Sequence, residues 1–425
     1  MEFTIRQSVL KEELGYIQGV VERKSTIPVL SNILIESLGE NSIRIVGTDL
    51  DVTIRCDAEA DIKQAGAMCI QARKLFDIVR SLDEGDIHFK KEDNQWVRMK
   101  AGRANFRLAG VSREQFPEIP VFKSAPLKLA ADIFNYFVQN TAFAITNEQS
   151  RFTLSGAKFM LDGDKARMVT TDGHRLAFIE KNIGGSPTVR EGSDAQESNQ
   201  ALPNGQASAP EVKMDTLVPK KALLELTKLC RDCDGDVSFG EDPNHIYFET
   251  GGRLLITRKL SGNFPNYDMV MPKDNDKEVT FDLTDMRSAV RRISLMADER
   301  QRSIRMTVRE GEVELSASSS EEGEGNEFVP ADYNGEEMTL GFNWQYLQEF
   351  LNNVGAIQSS AGSASSASAA SAGGSDSSET NSPNSANSSP TRIRFDFKDQ
   401  NGATQMSIAG ETAYNYKYIV MPLRI

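Results

Sequence analysis

Few side chains in this sequence sit at spacings that could do chemistry. Cys230-Arg-Asp-Cys233 is a C-x-x-C pair, the spacing of thiol–disulfide exchange. It falls at the end of a helical pattern, whereas reactive pairs gain thiolate stability at a helix N-terminus. A thiol oxidoreductase acting through Cys230 and Cys233 is the enzyme alternative, and their position argues against it. Asp49 and Asp51 could share a metal as paired carboxylates do in nucleases, but they lie in a strand–turn segment without further acidic partners. Asp232, Asp234 and Asp236 read as an acidic turn that lacks the closing Glu of a calcium loop. His88, His174 and His245 are the only histidines, little material for a metal site. No G-x-x-x-x-G-K-[ST], no G-x-G-x-x-G before a helix, no G-x-S-x-G and no H-E-x-x-H occurs. The expectation is a binding protein with no catalytic residue, metal or cofactor.

What it binds is constrained by charge. The 425 residues carry 48 Lys+Arg against 61 Asp+Glu, a formal net charge of −13. Affinity for phosphate normally rests on clustered cations, so a DNA role needs local positive charge, topology, or both. No apolar run reaches the roughly 20 residues of a membrane-spanning helix, and Met1-Glu-Phe-Thr-Ile-Arg6 alternates like a strand rather than a signal peptide. A cytoplasmic protein without membrane partners is expected, and Cys56 and Cys69, each standing alone, indicate no disulfide framework.

The elements that must position any site repeat themselves. Two low-complexity segments, about residues 185–213 and 355–391, cannot bury enough apolar surface to offset their ordering entropy and are expected to be disordered loops. Without them the chain repeats about every 110–125 residues. Each unit opens with a strand running into an amphipathic helix: Leu10, Leu14, Ile17 and Val21 share one face, then Ile133, Phe134, Phe137 and Val138, then Met286, Val290, Ile293 and Ala297. Strand segments follow at Asn32–Leu38 and Ser42–Arg55, at Phe152–Leu161 and Ala166–Glu180, and at Ile304–Ser316. A second helix comes next, marked by Leu75, Ile78, Val79 and Leu82, by Leu223, Leu226 and Cys230, and by Leu347, Phe350, Leu351 and Val354. This predicts an α+β chain of three domains, 1–125, 126–276 and 277–425, the last two carrying the inserts. Such units leave sheet edges exposed, and closing the array with a second copy would cover them.

The order of motifs resembles the bacterial DNA sliding clamps, the beta subunits of DNA polymerase III. Ile27-Pro-Val-Leu-Ser-Asn32, Gly47-Thr-Asp-Leu50 and Gln71-Ala-Arg-Lys-Leu-Phe-Asp77 carry it in the first unit. Thr170-Thr-Asp-Gly-His-Arg-Leu-Ala177, Val218-Pro-Lys-Lys221 and Phe264-Pro-Asn-Tyr267 carry it in the second, and Gly341-Phe-Asn343, Tyr346 and Val420-Met-Pro-Leu-Arg-Ile425 in the third. The resemblance implies three clamp domains in a head-to-tail dimeric ring, helices lining the hole and antiparallel sheets outside. It also implies a non-catalytic processivity factor that encircles double-stranded DNA without sequence preference. Partners would be the replicative polymerase, the clamp loader and repair proteins, which dock short clamp-binding peptides.

Residue by residue, the resemblance assigns DNA contacts to Arg23, Lys24, Arg73, Lys74, Phe152, Lys220 and Lys221. It assigns the partner-peptide pocket to Leu154, Thr171, Gly173, His174, Arg175, Leu176, Pro265, Val270, Asn343, Tyr346, Ile419, Val420, Met421, Pro422, Leu423 and Arg424. The ring-closing interface falls to Phe106 and Leu108 with Leu295 and Met296. Cations lining the hole with net acid outside would reconcile −13 with DNA. The match departs at Thr153, where members often have a second aromatic, and at Met269, where some carry a basic residue.

Overall fold

The computed structural model describes residues 1–21, 27–121, 127–148, 150–184, 213–231, 235–320, 323–355, 391–410 and 413–424. Arg23, Lys24, Cys233 and both expected low-complexity loops, apart from their terminal residues, lie outside the described residues. Among the described residues there are six α-helices: α1 (Gln7–Ile17), α2 (Ala72–Ser81), α3 (Ala131–Thr141), α4 (Lys220–Arg231), α5 (Leu283–Ile293) and α6 (Trp344–Gly355). The chain groups into two compact units. One holds Met1–Val138, Lys158–Lys165 and Ile183–Gly262; the other holds Gln139–Ala157, Ala166–Asn182 and Asn263–Ile425.

In the first unit, strand Glu2–Arg6 runs into α1 as expected, and it pairs antiparallel with Asp61–Gln64 and Asp86–Lys91. Val97–Ala101 and Ala104–Leu108 complete that sheet, leaving Ala104–Leu108 at its edge. Alternation turns Phe3, Ile5, Phe89, Val97 and Met99 inward, and Phe3 stacks on Phe89 at 4.9 Å. A second antiparallel sheet joins the first two sequence repeats directly: Val52–Glu59 pairs with Arg253–Arg258, Cys56 opposite Arg253. Phe134 of α3 packs edge-on against Phe159 and tilted against Phe239 and Phe248. Helix α1 packs against α2 and α4, burying Leu10, Leu14 and Ile17 completely.

One polar link fixes α1 over the joined sheet. The buried Arg253 guanidinium donates to Glu13 at 2.7 and 2.9 Å and to Glu12 at 2.7 Å, and stacks over the Tyr16 ring at 4.1 Å. Glu13 is itself only 8 % exposed, so removing the arginine strands a buried carboxylate. Arg253→Met is expected to lower the unfolding free energy by about 3–5 kcal/mol. Glu13→Gln combined with it should recover part of that loss in denaturant titrations. Equal losses in the single and double variants would show that the carboxylate is not stranded.

In the second unit, α5 packs on α6. The antiparallel neighbours run Arg175–Asn182, Asn415–Val420, Thr404–Ile408, Arg392–Phe397, Lys277–Asp282, Gly323–Asp332, Glu312–Ser319, Ser303–Arg309 and Met338–Asn343. Asp282 caps α5, its carboxylate accepting from the N–H groups of Thr284 (2.7 Å) and Asp285 (3.0 Å). Phe281 meets Phe395 edge-on at 4.8 Å, and Phe350 stacks on Tyr418 at 5.2 Å, which seats the chain's last strand in the core.

Several expected boundaries are corrected. Ser42–Arg55 is two strands, Ser42–Thr48 and Val52–Glu59, divided where the Asp49 carboxylate accepts from the N–H groups of Asp51 (2.9 Å) and Val52 (2.7 Å). Ala166–Glu180 likewise breaks after Thr171, and Ile304–Ser316 breaks at Gly311, whose φ is +81°. Phe152–Leu154 forms a 3₁₀ turn ahead of strand Gly156–Asp162. Val21, Leu82 and Ala297 lie past the ends of α1, α2 and α5.

Candidate functional site

Within the second unit, the hairpin joining Lys165–Thr171 to Arg175–Asn182 forms one wall of a small apolar cavity. Its turn is built from its own side chains. The Asp172 carboxylate accepts from the N–H groups of His174 (2.9 Å) and Arg175 (3.1 Å), while the Thr171 hydroxyl accepts from Gly173 N–H at 3.1 Å. Gly173 has φ +93°, a conformation that favours glycine. The turn is thus a hairpin that also forms one wall of the cavity.

Arg175 locks the turn to the core. Its guanidinium donates to Asp172 at 2.9 Å, to the Phe143 carbonyl at 2.7 Å and to the Tyr418 hydroxyl at 3.2 Å. It also pairs with Glu349 of α6 and lies over the Tyr346 ring at 4.3 Å. Burial alone would lower its pKa, but the Tyr418 hydroxyl and the Glu349 carboxylate raise it above the usual value, so the cation is permanent. Burial also raises the pKa of the Tyr418 phenol. The network is structural, a rigid frame behind the cavity.

Leu154, Leu176, Pro265, Tyr267, Val270, Ile419 and Met421 give the cavity its apolar lining, with Thr171, Gly173, His174 and Arg175 along the turn. Its volume is about 110 Å³, room for one or two apolar side chains of a visiting peptide. Val270 and Met421 are strongly exposed, and neighbouring Met269 is 83 % exposed. The last strand reaches this wall through Met421 N–H, which donates to the His174 carbonyl at 3.2 Å.

The other expected pocket residues are placed differently. Val420 is fully buried in the closing strand. Asn343 caps α6, accepting from Gln345 N–H at 3.0 Å, and Tyr346 supports Arg175 from behind. Past Pro422, Leu423 bridges to Gly341, and Leu423 and Arg424 line a separate polar groove. Tyr267 is a lining residue that was not singled out, although it stood in the quoted Phe264–Tyr267 stretch; its ring packs against Phe178 at 6.1 Å.

The expected DNA contacts differ in how free their charge is. Arg73 and Lys74 project from α2 into solvent; Arg73 comes within 3.9 Å of Asp77. Lys220 is half-buried at the start of α4. The Lys221 ammonium is tied to the Asp49 carboxylate and donates to the Val20 carbonyl at 3.1 Å. Phe152 is 70 % exposed on its 3₁₀ turn.

Of the expected interface residues, Phe106 is half-buried and Leu108 buried on the edge strand of the first unit. Leu295 is 70 % exposed and Met296 half-buried on a 3₁₀ turn that packs against Glu312–Ser319 and Gly323–Asp332 of the second. Phe328 is 51 % exposed on Gly323–Asp332, on the face of that strand turned away from the 3₁₀ turn.

Among the described residues no group of three or more His, Cys, Asp or Glu could hold a metal ion. Cys230 is buried on α4, and burial pushes the Cys69 thiol up to about 11. No described helix is long and apolar enough to cross a membrane.

Comparison with known proteins gives a consistent likeness. Family models of the DNA polymerase III beta subunit match residues 1–120 (N-terminal domain), 128–188 (central domain) and 268–370 (C-terminal domain). The beta sliding clamp of Pseudomonas aeruginosa is 32 % identical over 361 residues, covering 84 % of this chain and 92 % of that protein. That of Caulobacter vibrioides is 32 % identical over 370 residues, with the same coverage. Among solved structures, the DNA polymerase sliding clamp of Pseudomonas aeruginosa superposes with a TM-score of 0.79 at 27 % identity, covering 100 % of both chains. The clamp of Caulobacter crescentus gives 0.78 at 28 % identity, again over 100 % of both.

Proposed function

The chain belongs to the DNA polymerase III beta subunit family, the bacterial sliding clamps, and on that premise we propose that it is a sliding clamp whose two copies close a ring around duplex DNA. The observation that carries this reading is that the family match runs through all three of its domains. We read those domains as 1–125, 126–276 and 277–425. The protein acts in the cytoplasm as a non-catalytic processivity factor: it tethers the replicative polymerase, and in turn the loader and repair proteins, to the template.

Ring closure joins the first domain of one copy to the third of the other. Strand Ala104–Leu108 offers an unpaired edge, preceded by Arg103. Leu295 and Met296 offer an apolar surface beside the exposed Glu299. Hydrophobic anchors with complementary rim charges are what a specific interface needs. Inside the ring, Arg73, Lys74 and Lys220 meet phosphates weakly and without reading bases, so the ring can travel along DNA. Lys221, tied to Asp49, contributes less. Arg23 and Lys24 hold the same role on the family pattern.

The apolar cavity receives the anchor side chains of a short partner peptide, and Arg175 keeps its wall rigid. Sedimentation tests the assembly. The wild type should be a dimer at micromolar concentration, and Leu295→Asp should raise the dimer dissociation constant by about 30-fold or more, the cost of a charge in an apolar contact. A monomeric wild type, or a variant that dimerises unchanged, refutes the ring as drawn.

A further inference from the structure

Beside the cavity lies a second, polar groove of about 1050 Å³ on the solvent face of the second unit's sheet. The chain's last residues separate the two: Met421 lines the apolar cavity, while Leu423 and Arg424 line the groove. Two residues of extended chain span roughly 7 Å, so a ligand that fills one can reach the other. Leu423 is fixed at the border by its N–H, which donates to the Gly341 carbonyl at 2.8 Å. From there a cross-strand row leads outward, Gly341 opposite Arg305, Arg305 opposite Ser316, and Ser316 opposite Asn326.

The charge along this row is uneven. Arg305 and Arg424 are exposed, and neither has an ion-pair partner among the described residues. Glu314, by contrast, is occupied by Arg309 at 2.7 Å and by the Asn326 amide at 3.1 Å. The end nearest the cavity is therefore cationic in a chain whose net charge is −13. Hydroxyls of Ser303 and Ser316 and the Gln301 amide surround it. Glu324, exposed opposite Ser318, lies at the groove's other end, so the two free guanidinium groups near the cavity are what suits carboxylates. The lining has no aromatic side chain on which a nucleic-acid base could stack, which favours a peptide over single-stranded nucleic acid.

We propose that this groove binds an acidic flank of the same partner peptide whose apolar residues fill the cavity, a few residues from that anchor. The proposal rests on the peptide-pocket reading above. Fluorescence anisotropy on the full chain tests it, with one apolar anchor sequence carrying an Asp-Asp, a Ser-Ser or a Lys-Lys flank. The Asp-Asp peptide should bind about 5- to 10-fold tighter than the Ser-Ser peptide at low salt, and the advantage should shrink as salt rises. Arg305→Ala should reduce that advantage to within about 2-fold while leaving Ser-Ser affinity unchanged. Equal affinity of the three flanks, or an advantage that survives Arg305→Ala, overturns the groove. So does an oligothymidylate that competes for the Arg305-dependent gain as well as the acidic peptide does. If the Ser-Ser peptide fails to bind the wild type at all, the pocket reading falls, and the groove with it.

Discussion

Deleting Met421–Ile425 is expected to raise the dissociation constant of a clamp-binding peptide about 30- to 150-fold, or about 2–3 kcal/mol, while the dimer persists. Met421 is 46 % exposed, so its side chain is available for a ligand to cover. Its removal opens the cavity on the side facing Pro265 and Val270, and also releases the Met421 N–H from the His174 carbonyl that it holds. The strand that carries the core, Asn415–Val420, is left whole, and Phe350 still stacks on Tyr418. The proposed dimer surfaces at Ala104–Leu108 and at Leu295 and Met296 lie elsewhere in the sequence. Met421→Ala alone should lose about 10-fold, the share of one apolar side chain. Peptide affinity unchanged by the deletion, with the protein still folded by circular dichroism, would remove the last strand from the site. A deletion variant that sediments only as monomer would mean that the tail holds the ring rather than the peptide.

The pattern of residues made much of this architecture readable. Apolar spacing located the helices because one buried face per helix is enough to set it: Leu10, Leu14 and Ile17 are fully buried in α1, as are Met286 and Val290 in α5. Strands were found but run together. A turn of two or three residues such as Asp49–Asp51 or Asp172–His174 barely interrupts a run of alternating side chains, so its presence rests on Asp carboxylates bonding their own backbone. The site was legible through resemblance, and only in part through physics. Arg175 can be named from Thr-Asp-Gly-His-Arg, but Glu349 and Tyr418, which hold it, stand 174 and 243 residues away. No local spacing reports such a pair. The same holds for Lys221, where an exposed-looking helix lysine is engaged by Asp49 across 172 residues. Val420, Leu423 and Arg424 were grouped with Met421 by the resemblance, which does not report which way each side chain points. Val420 points into the core and Met421 into the cavity, while Leu423 and Arg424 both line the groove.

The account turns on attachment by enclosure. Weak, base-independent phosphate contacts cannot hold a protein of net charge −13 on DNA by affinity alone. A closed ring leaves only by opening or by running off an end. The direct measurement is retention on nicked circular duplex, loaded by the cell's own clamp loader, followed through gel filtration at moderate salt before and after a single restriction cut. The protein should travel with the intact circle and be lost once the DNA is linear, and blocking both ends with bulky protein adducts should restore its retention. Equal retention on circular and linear DNA would mean that the protein grips DNA by surface charge, and the enclosed ring would have to be abandoned.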